Sequence, residues 1–219
     1  MKNVIILSLA VLFSGALKAQ DLKTSKDTLS YAVGILWGQN MKQQGLSDIN
    51  TDLLARAIGE VLEGKKSLMT PQMANDVLRD FMSREKEAEM KKNKMEGELF
   101  LKNNAEKEGV ITLESGLQYE VLKKGDGAIP KATDKVKVHY HGTLINGDVF
   151  DSSVQRGEPT SFPVTGVIKG WVEALQLMPV GSKWKLFIPS DLAYGERGAG
   201  QKIGPGTVLI FEVELLGIE

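Results

Sequence analysis

Few side chains in this sequence can make or break a covalent bond. There is no cysteine, which removes thiolate nucleophiles, disulfides and cysteine-based metal sites. The only two histidines are His139 and His141. They share one face of an alternating segment, and with no third ligand in view they read as solvated strand residues rather than a metal pair. Ser152 and Ser153 lack the G-x-S-x-G setting of a nucleophile elbow. Gly195-Glu-Arg-Gly-Ala-Gly200 is rich in glycine, yet it has neither dinucleotide-fingerprint spacing nor the Lys-Ser/Thr of a P-loop, so it reads as a flexible loop. What remains is an apolar set near turns and strand ends: Tyr140, Phe150, Phe162, Trp171, Tyr194 and Phe211. By composition alone this set is the core of a domain. No metal or other cofactor is implied.

These residues lie in a half of the chain with strand patterning. Leu117 to Leu122 reads as a strand and is followed by a Gly125-Asp126-Gly127 turn. From Lys135 to Leu144 the chain alternates, with Val136, Val138 and Tyr140 on one face and Lys135, Lys137, His139 and His141 on the other. Asn146-Gly147 is a hairpin signal. Ser182–Ile188 and Val208–Leu216 are further strands, and Val167–Leu177 is the one helix. Strands around one short helix, without repeating βαβ units, indicate an α+β domain with a mostly antiparallel sheet.

The preceding half has helical period. Leu29, Ala32, Val33, Leu36, Trp37 and Met41 make one apolar face. Leu53, Leu54, Ala57, Ile58, Val61 and Leu62 make a second, closed by Gly64. Thr70-Pro71 opens a third helix as N-cap and first helical residue. Its apolar stripe, Met73, Val77, Leu78, Phe81 and Met82, thins after Ser83, and about half of the residues from there to Gly109 are charged. Run to Lys107, this helix is roughly 55 Å long. It reads as a spacer, with a frayed linker as the alternative, because Gly97 costs about 1 kcal/mol relative to Ala.

The first residues have the layout of an export signal. Lys2 is positive, Val4 to Phe13 is apolar apart from Ser8, and small residues lead to a cleavage point after Ala19. The apolar run falls short of the roughly 20 residues a membrane span requires. A buried N-terminal strand or an uncleaved anchor is the alternative. With 42% hydrophobic and 25% charged residues and a net charge of −1, the composition is that of a globular protein and favours neither nucleic acid nor an anionic membrane surface.

Six motifs occur in a fixed order: Val138-His-Tyr-His-Gly142, Gly147-Asp-Val-Phe-Asp-Ser-Ser153, Val167-Ile-Lys-Gly-Trp171, Met178-Pro-Val-Gly181, Ile188-Pro-Ser-Asp-Leu-Ala-Tyr-Gly195 and Leu209-Ile-Phe-Glu-Val-Glu-Leu215. Together they closely resemble the FKBP-type peptidyl-prolyl cis/trans isomerases over about residues 112 to 219. The helical part resembles the dimerising N-terminal region of the macrophage-infectivity-potentiator and FkpA-like group. The resemblance implies a five- to six-stranded antiparallel sheet wrapped over one short helix, preceded by an all-α module and a long connecting helix. It implies a proline pocket of Tyr140, Phe150, Asp151, Phe162, Val167, Ile168, Trp171, Tyr194, Ile203 and Phe211. In that pocket Trp171 is the floor, Val167 and Ile168 offer backbone groups, Asp151 and Tyr194 are polar contacts, and Arg156 orients Asp151 and Tyr140. The sequence departs from the family pattern at Thr160, Ala199 and Lys202.

The expected organisation is a signal peptide over 1–19, a helical dimerisation module over 20–70, a connecting helix over 71–109 and the isomerase domain over 110–219. The expected partners are proline-containing polypeptides and a second copy of the chain, with no nucleic acid and no stable membrane anchor. The expected location is the periplasm or the cell surface. Two functions fit: an isomerase assisting the folding of exported proteins, and a periplasmic chaperone or binding module whose isomerase activity is secondary.

Overall fold

The computed structural model describes residues 22–219. The export signal read at residues 1–19 lies outside them. The chain divides between Lys66 and Ser67 into two compact units.

In the first unit, α1 (Ser25–Gln43) starts at a capping box. The Asp27 N–H donates to Thr24 Oγ1 at 3.1 Å, and the Thr24 N–H donates to the Asp27 carboxylate at 2.9 Å. Two orphan donors of the first turn are thereby satisfied. Helix α2 (Thr51–Leu62) is capped by Asn50, whose Oδ1 accepts from the Asp52 and Leu53 N–H groups at 3.1 and 3.0 Å. Helix α2 carries the apolar face read from the sequence, whereas the apolar residues of α1, among them Leu29, Tyr31, Val33, Ile35 and Trp37, are spread around the helix rather than gathered on one face; no residue of either helix is buried. Val61 is 70% exposed and Leu62 81%. No described helix is long and apolar enough to cross a membrane.

The second unit begins with α3 (Pro71–Ala105), which has the foreseen start: Thr70 Oγ1 accepts from the Met73 N–H at 3.2 Å, with Pro71 in the first turn. The sheet contains β1 (Val110–Thr112), β2 (Gln118–Lys123), β3 (Lys135–Thr143), β4 (Val149–Ser152), β5 (Thr160–Pro163), β6 (Lys183–Ile188) and β7 (Leu209–Ile218). A one-turn helix, α4 (Ser153–Arg156), separates β4 from β5, and α5 (Lys169–Leu175) precedes β6. The order is β1-β2-β6-β7-β3-β4, with β5 also on β3. Every pairing is antiparallel. The family expectation of five or six strands becomes seven segments because α4 splits the edge strand. β5 pairs with β3 at residues 135–138, and β4 pairs with it at residues 141–143.

Alternation on β3 sets the two faces of the sheet. Val136, Val138 and Tyr140 point into the core with Leu186, Ile188, Val213 and Leu215, and α5 covers them with Trp171, Ala174 and Leu175. Burying this apolar layer stabilises the unit by roughly 25 cal/mol per Å² of apolar area removed from water. The opposite face is a charged ladder. There His139 stands across from Glu214 and His141 across from Glu212, with Lys183 and Lys185 beyond them on β6. The two histidines are half-buried rather than freely solvated. Each Nδ1 meets a serine hydroxyl, His139 with Ser153 at 3.1 Å and His141 with Ser152 at 3.0 Å.

The second half of α3 corrects the spacer reading. It lies against the sheet domain through a face that mixes small, polar and apolar residues. Gly97 is buried, and a Cβ built on it would stand 2.6 Å from Val208 Cγ2. The Phe100 and Phe187 rings are 6.0 Å apart. Asn104, 1% exposed, donates to Gln118 Oε1 at 2.9 Å, and Gln118 Nε2 donates back to the Leu101 carbonyl at 2.9 Å. The glycine that weakens the isolated helix is where a side chain would collide with Val208.

Candidate active site

Antiparallel register brings the pocket residues together from distant parts of the chain. Tyr140 lies on β3, Phe150 and Asp151 on β4, Phe162 on β5, and Phe211 on β7. Val167 and Ile168 form the extended approach to α5, and Trp171 lies in its first turn. The start of a helix leaves backbone N–H groups without intrahelical acceptors, so this approach can offer donors to a ligand. Tyr194 and Ile203 come from the segment between β6 and β7. All ten residues expected from the resemblance line one open pocket of about 730 Å³.

The aromatic rings meet edge to face, the arrangement their quadrupoles favour. Trp171 is 4% exposed and forms the floor. Its ring centroid is 5.5 Å from Tyr140 at 84°, 6.1 Å from Phe162 at 85° and 5.2 Å from Phe211 at 81°. Phe150 meets Phe211 at 5.2 Å and 85°. This last pair depends on Gly142, because a Cβ there would stand 2.7 Å from the Phe150 ring and 2.9 Å from Phe211.

One polar cluster sits at the edge of this apolar wall. The Tyr140 hydroxyl donates to Asp151 Oδ2 at 2.5 Å. Arg156, at the end of α4, donates to the Tyr140 oxygen at 2.8 Å and also to Asp151 Oδ1. Arg156 therefore has the orienting position the resemblance implies, and α4 exists to supply it. The Ser152 hydroxyl caps α4 by accepting from the Gln155 N–H at 3.2 Å, and Gly157 ends it in the left-handed region. Burial acts to raise the Asp151 pKa. The hydrogen bonds from Tyr140 and Arg156 and the guanidinium charge outweigh it and hold the carboxyl below the ordinary aspartate value. The Tyr140 phenol is pushed up, first by burial and then by its bond to Asp151. The cluster thus holds one stable anion and a neutral phenol. It is suited to orienting an amide and poorly suited to exchanging protons near neutral pH.

Sequence reasoning missed part of one wall. Ala199, Gly200, Gln201 and Lys202 line the pocket beside Ile203, where the sequence pattern over Gly195–Gly200 predicts only a flexible loop. The loop is closed. At its base the Gly206 N–H donates to the Gly195 carbonyl at 2.9 Å, and near its tip Ala199 and Ile203 exchange hydrogen bonds at 2.8 and 3.2 Å. Lys202 Nζ reaches the Val149 carbonyl at 3.1 Å across the pocket mouth. Spaced glycines signal such a closed turn only when the residues they bring together are known.

Comparison with known proteins agrees with this geometry. A family model described as FKBP-type peptidyl-prolyl cis-trans isomerase matches residues 127–216. A second, described as the domain amino terminal to FKBP-type peptidyl-prolyl isomerase, matches residues 26–121. The chain is 50% identical over 192 residues to the FKBP-type 22 kDa peptidyl-prolyl cis-trans isomerase of Escherichia coli, covering 86% of this chain and 93% of that protein. It is 44% identical over 229 residues to a Legionella longbeachae protein named outer membrane protein MIP, covering 100% of this chain and 98% of that protein. The crystal structure of FkpA from Escherichia coli superposes with a TM-score of 0.70 at 35% identity, covering 91% of this chain and 99% of that one. An apolar pocket floored by Trp171 and edged by a single carboxylate, on a chain matched along nearly its whole length, leads to one assignment: the protein belongs to the FKBP-type peptidyl-prolyl cis-trans isomerase family.

Proposed function

We propose that the pocket floored by Trp171 is the isomerase site, and that the chain acts there on X-Pro bonds of polypeptides exported with it to the periplasm. The observation that supports this most is the convergence of all ten expected residues on one cavity. The barrier to rotation about a peptide bond is about 18–20 kcal/mol, because twisting the bond removes amide resonance. Uncatalysed X-Pro exchange therefore takes tens to hundreds of seconds. No bond is broken, so neither nucleophile nor base is required. The planar amide carries more charge separation than the twisted one and is better stabilised by water. Phe150, Phe162, Trp171 and Phe211 exclude that water from around the proline. The site therefore favours the twisted amide over the planar one, and this difference in binding is what lowers the barrier. Each ~1.4 kcal/mol of preference gives about tenfold in rate. Asp151, held by Arg156, and Tyr194 at the rim orient the chain on either side of the bond.

The exposed apolar residues of α1 and the exposed apolar face of α2 support pairing with a second copy, since a C2 dimer buries such surface reciprocally. The same exposed surface supports a second reading, in which the helical unit holds unfolded clients and the isomerase domain acts on what it holds.

The site is tested on the full chain with a proline tetrapeptide. Tyr194→Ala, at a residue 42% exposed and so tolerant of change, and Phe211→Ala are each expected to lower kcat/KM severalfold or more. Full activity in both folded variants would remove the assignment.

A further inference from the structure

The loop that forms one pocket wall is held from behind by α3. Asn93 Nδ2 donates to the Pro205 carbonyl at 2.9 Å and to Thr207 Oγ1 at 3.3 Å. Thr207 Oγ1 donates in turn to the Gly204 carbonyl at 2.8 Å. One helical residue thus fixes the Gly204–Thr207 turn immediately after Ile203, which lines the pocket. Along the helix, Lys94 Nζ pairs with Glu196 Oε1 at 3.0 Å on the other limb of the same loop. Between them the two residues hold both limbs near the Gly195–Gly206 bond that closes the base. A Cβ added at Gly206 would meet Lys94 Cγ and the Met90 carbonyl, each at 3.0 Å, so helix and loop are in van der Waals contact there.

We infer that α3 is a positioning element of the isomerase pocket: through Asn93 and Lys94 it sets the placement of the 195–206 loop, and substrate grip depends on helix docking. The inference rests on the reading that this pocket is the isomerase site. The physical reason is that the loop has no strand of its own to hold it. Its tip is pinned by Lys202 to the Val149 carbonyl, and its base is braced by a helix that begins more than 120 residues earlier in the sequence. A wall displaced by about 1 Å loses contact with the proline ring without any change in the aromatic floor. Asn93 and Lys94 are therefore positioning residues that act through Ile203 and its neighbours.

The test uses the full chain, a proline tetrapeptide and hydrogen exchange. Asn93→Ala is expected to lower kcat/KM by about three- to tenfold, mainly through KM. Exchange at the Ala199, Ile203 and Gly206 amides should accelerate while β7 amides stay within about twofold of wild type. Lys94→Glu and Glu196→Lys each place like charges together and are expected to cost about two- to fivefold, a small effect because the pair is exposed. Combining them restores the pair and should recover activity to within about twofold of wild type. Rescue by the reversed pair is a result that general loss of stability does not produce. Unchanged kcat/KM in Asn93→Ala and in both single reversals overturns the inference, as does equal acceleration of exchange in the loop and in β7, or failure of the reversed pair to recover. Phe211→Ala is measured alongside. If it is impaired while Asn93→Ala is not, only the positioning role fails; if Phe211→Ala is fully active, the site assignment fails.

Discussion

Replacing Gly97 by alanine separates a helix in solution from a helix pressed against a domain, because the two cases differ in sign. On an exposed helix the change stabilises by about 1 kcal/mol, since glycine has the larger backbone entropy to lose. Here the new Cβ would stand 2.6 Å from Val208 Cγ2 and 3.6 Å from its Cβ. Ordinary carbon contacts are about 3.5–4.0 Å, so close to 1 Å of relief must be found. Neither side can easily give it. Val208 is 4% exposed, β-branched and stiff at χ1, and it leads directly into β7, which is bonded to both β6 and β3. On the helix, Asn93 is tied to Pro205 one turn before Gly97, and Asn104 and Leu101 are tied to Gln118 after it. Overpacking of this kind costs about 1–3 kcal/mol. Set against the gain in helix propensity, the expected result is a net loss of up to about 2 kcal/mol. The assay is hydrogen exchange of the slowest amides in β6 and β7, which report on opening of this unit and avoid the fluorescence of Trp37 in α1. Faster exchange is expected. Exchange about fivefold slower, a gain of about 1 kcal/mol, would mean that Gly97 faces solvent and would refute the docking of α3.

Two further outcomes follow from the same contacts. Asp151 has a folded-state pKa below its unfolded value, so the unfolded state binds more protons in that window. Its contribution to stability is complete above about pH 4, the ordinary aspartate range, and is lost as pH falls through the depressed folded value. Acid titration of wild type and Asp151→Asn should therefore show a steeper loss in wild type below about pH 4 and parallel curves above it; parallel curves throughout would contradict the Tyr140–Asp151–Arg156 cluster. The chain without residues 1–19 is expected to scatter light as a dimer, and the Leu36→Glu, Leu62→Glu double variant as a monomer with tetrapeptide turnover unchanged. A monomeric wild type would remove the pairing role given to α1 and α2.

Local rules decided a large part of this protein directly from its sequence. Thr70-Pro71 places the start of α3 because a side-chain acceptor and a missing N–H suit a helix N-terminus wherever they occur. Alternation over Lys135–Leu144 separates core from surface because side chains on a strand have a period of two. The ordered motifs group Tyr140, Phe150, Trp171 and Phe211 as one constellation through their resemblance to the FKBP-type isomerases, since by composition alone these residues read as core. Three features depended on the tertiary structure. The docked face of α3 is a stripe of Met90, Asn93, Gly97, Leu101 and Asn104. It has helical spacing, but its apolar residues Met90 and Leu101, with Phe100 beside them, are interrupted by Asn93, Gly97 and Asn104, so a search for hydrophobic period sees only a helix leaving its core. The glycine-rich segment becomes a pocket wall because Gly195 and Gly206 meet across a loop whose closure involves residues outside the motif. The half-buried state of His139 and His141 depends on Ser152 and Ser153, which β4 and the start of α4 bring across β3. In each case the missing information was the identity of a partner distant in sequence. Propensity and periodicity are properties of neighbours along the chain, whereas a hydrogen bond or a close approach between distant segments exists only once the fold has brought them together.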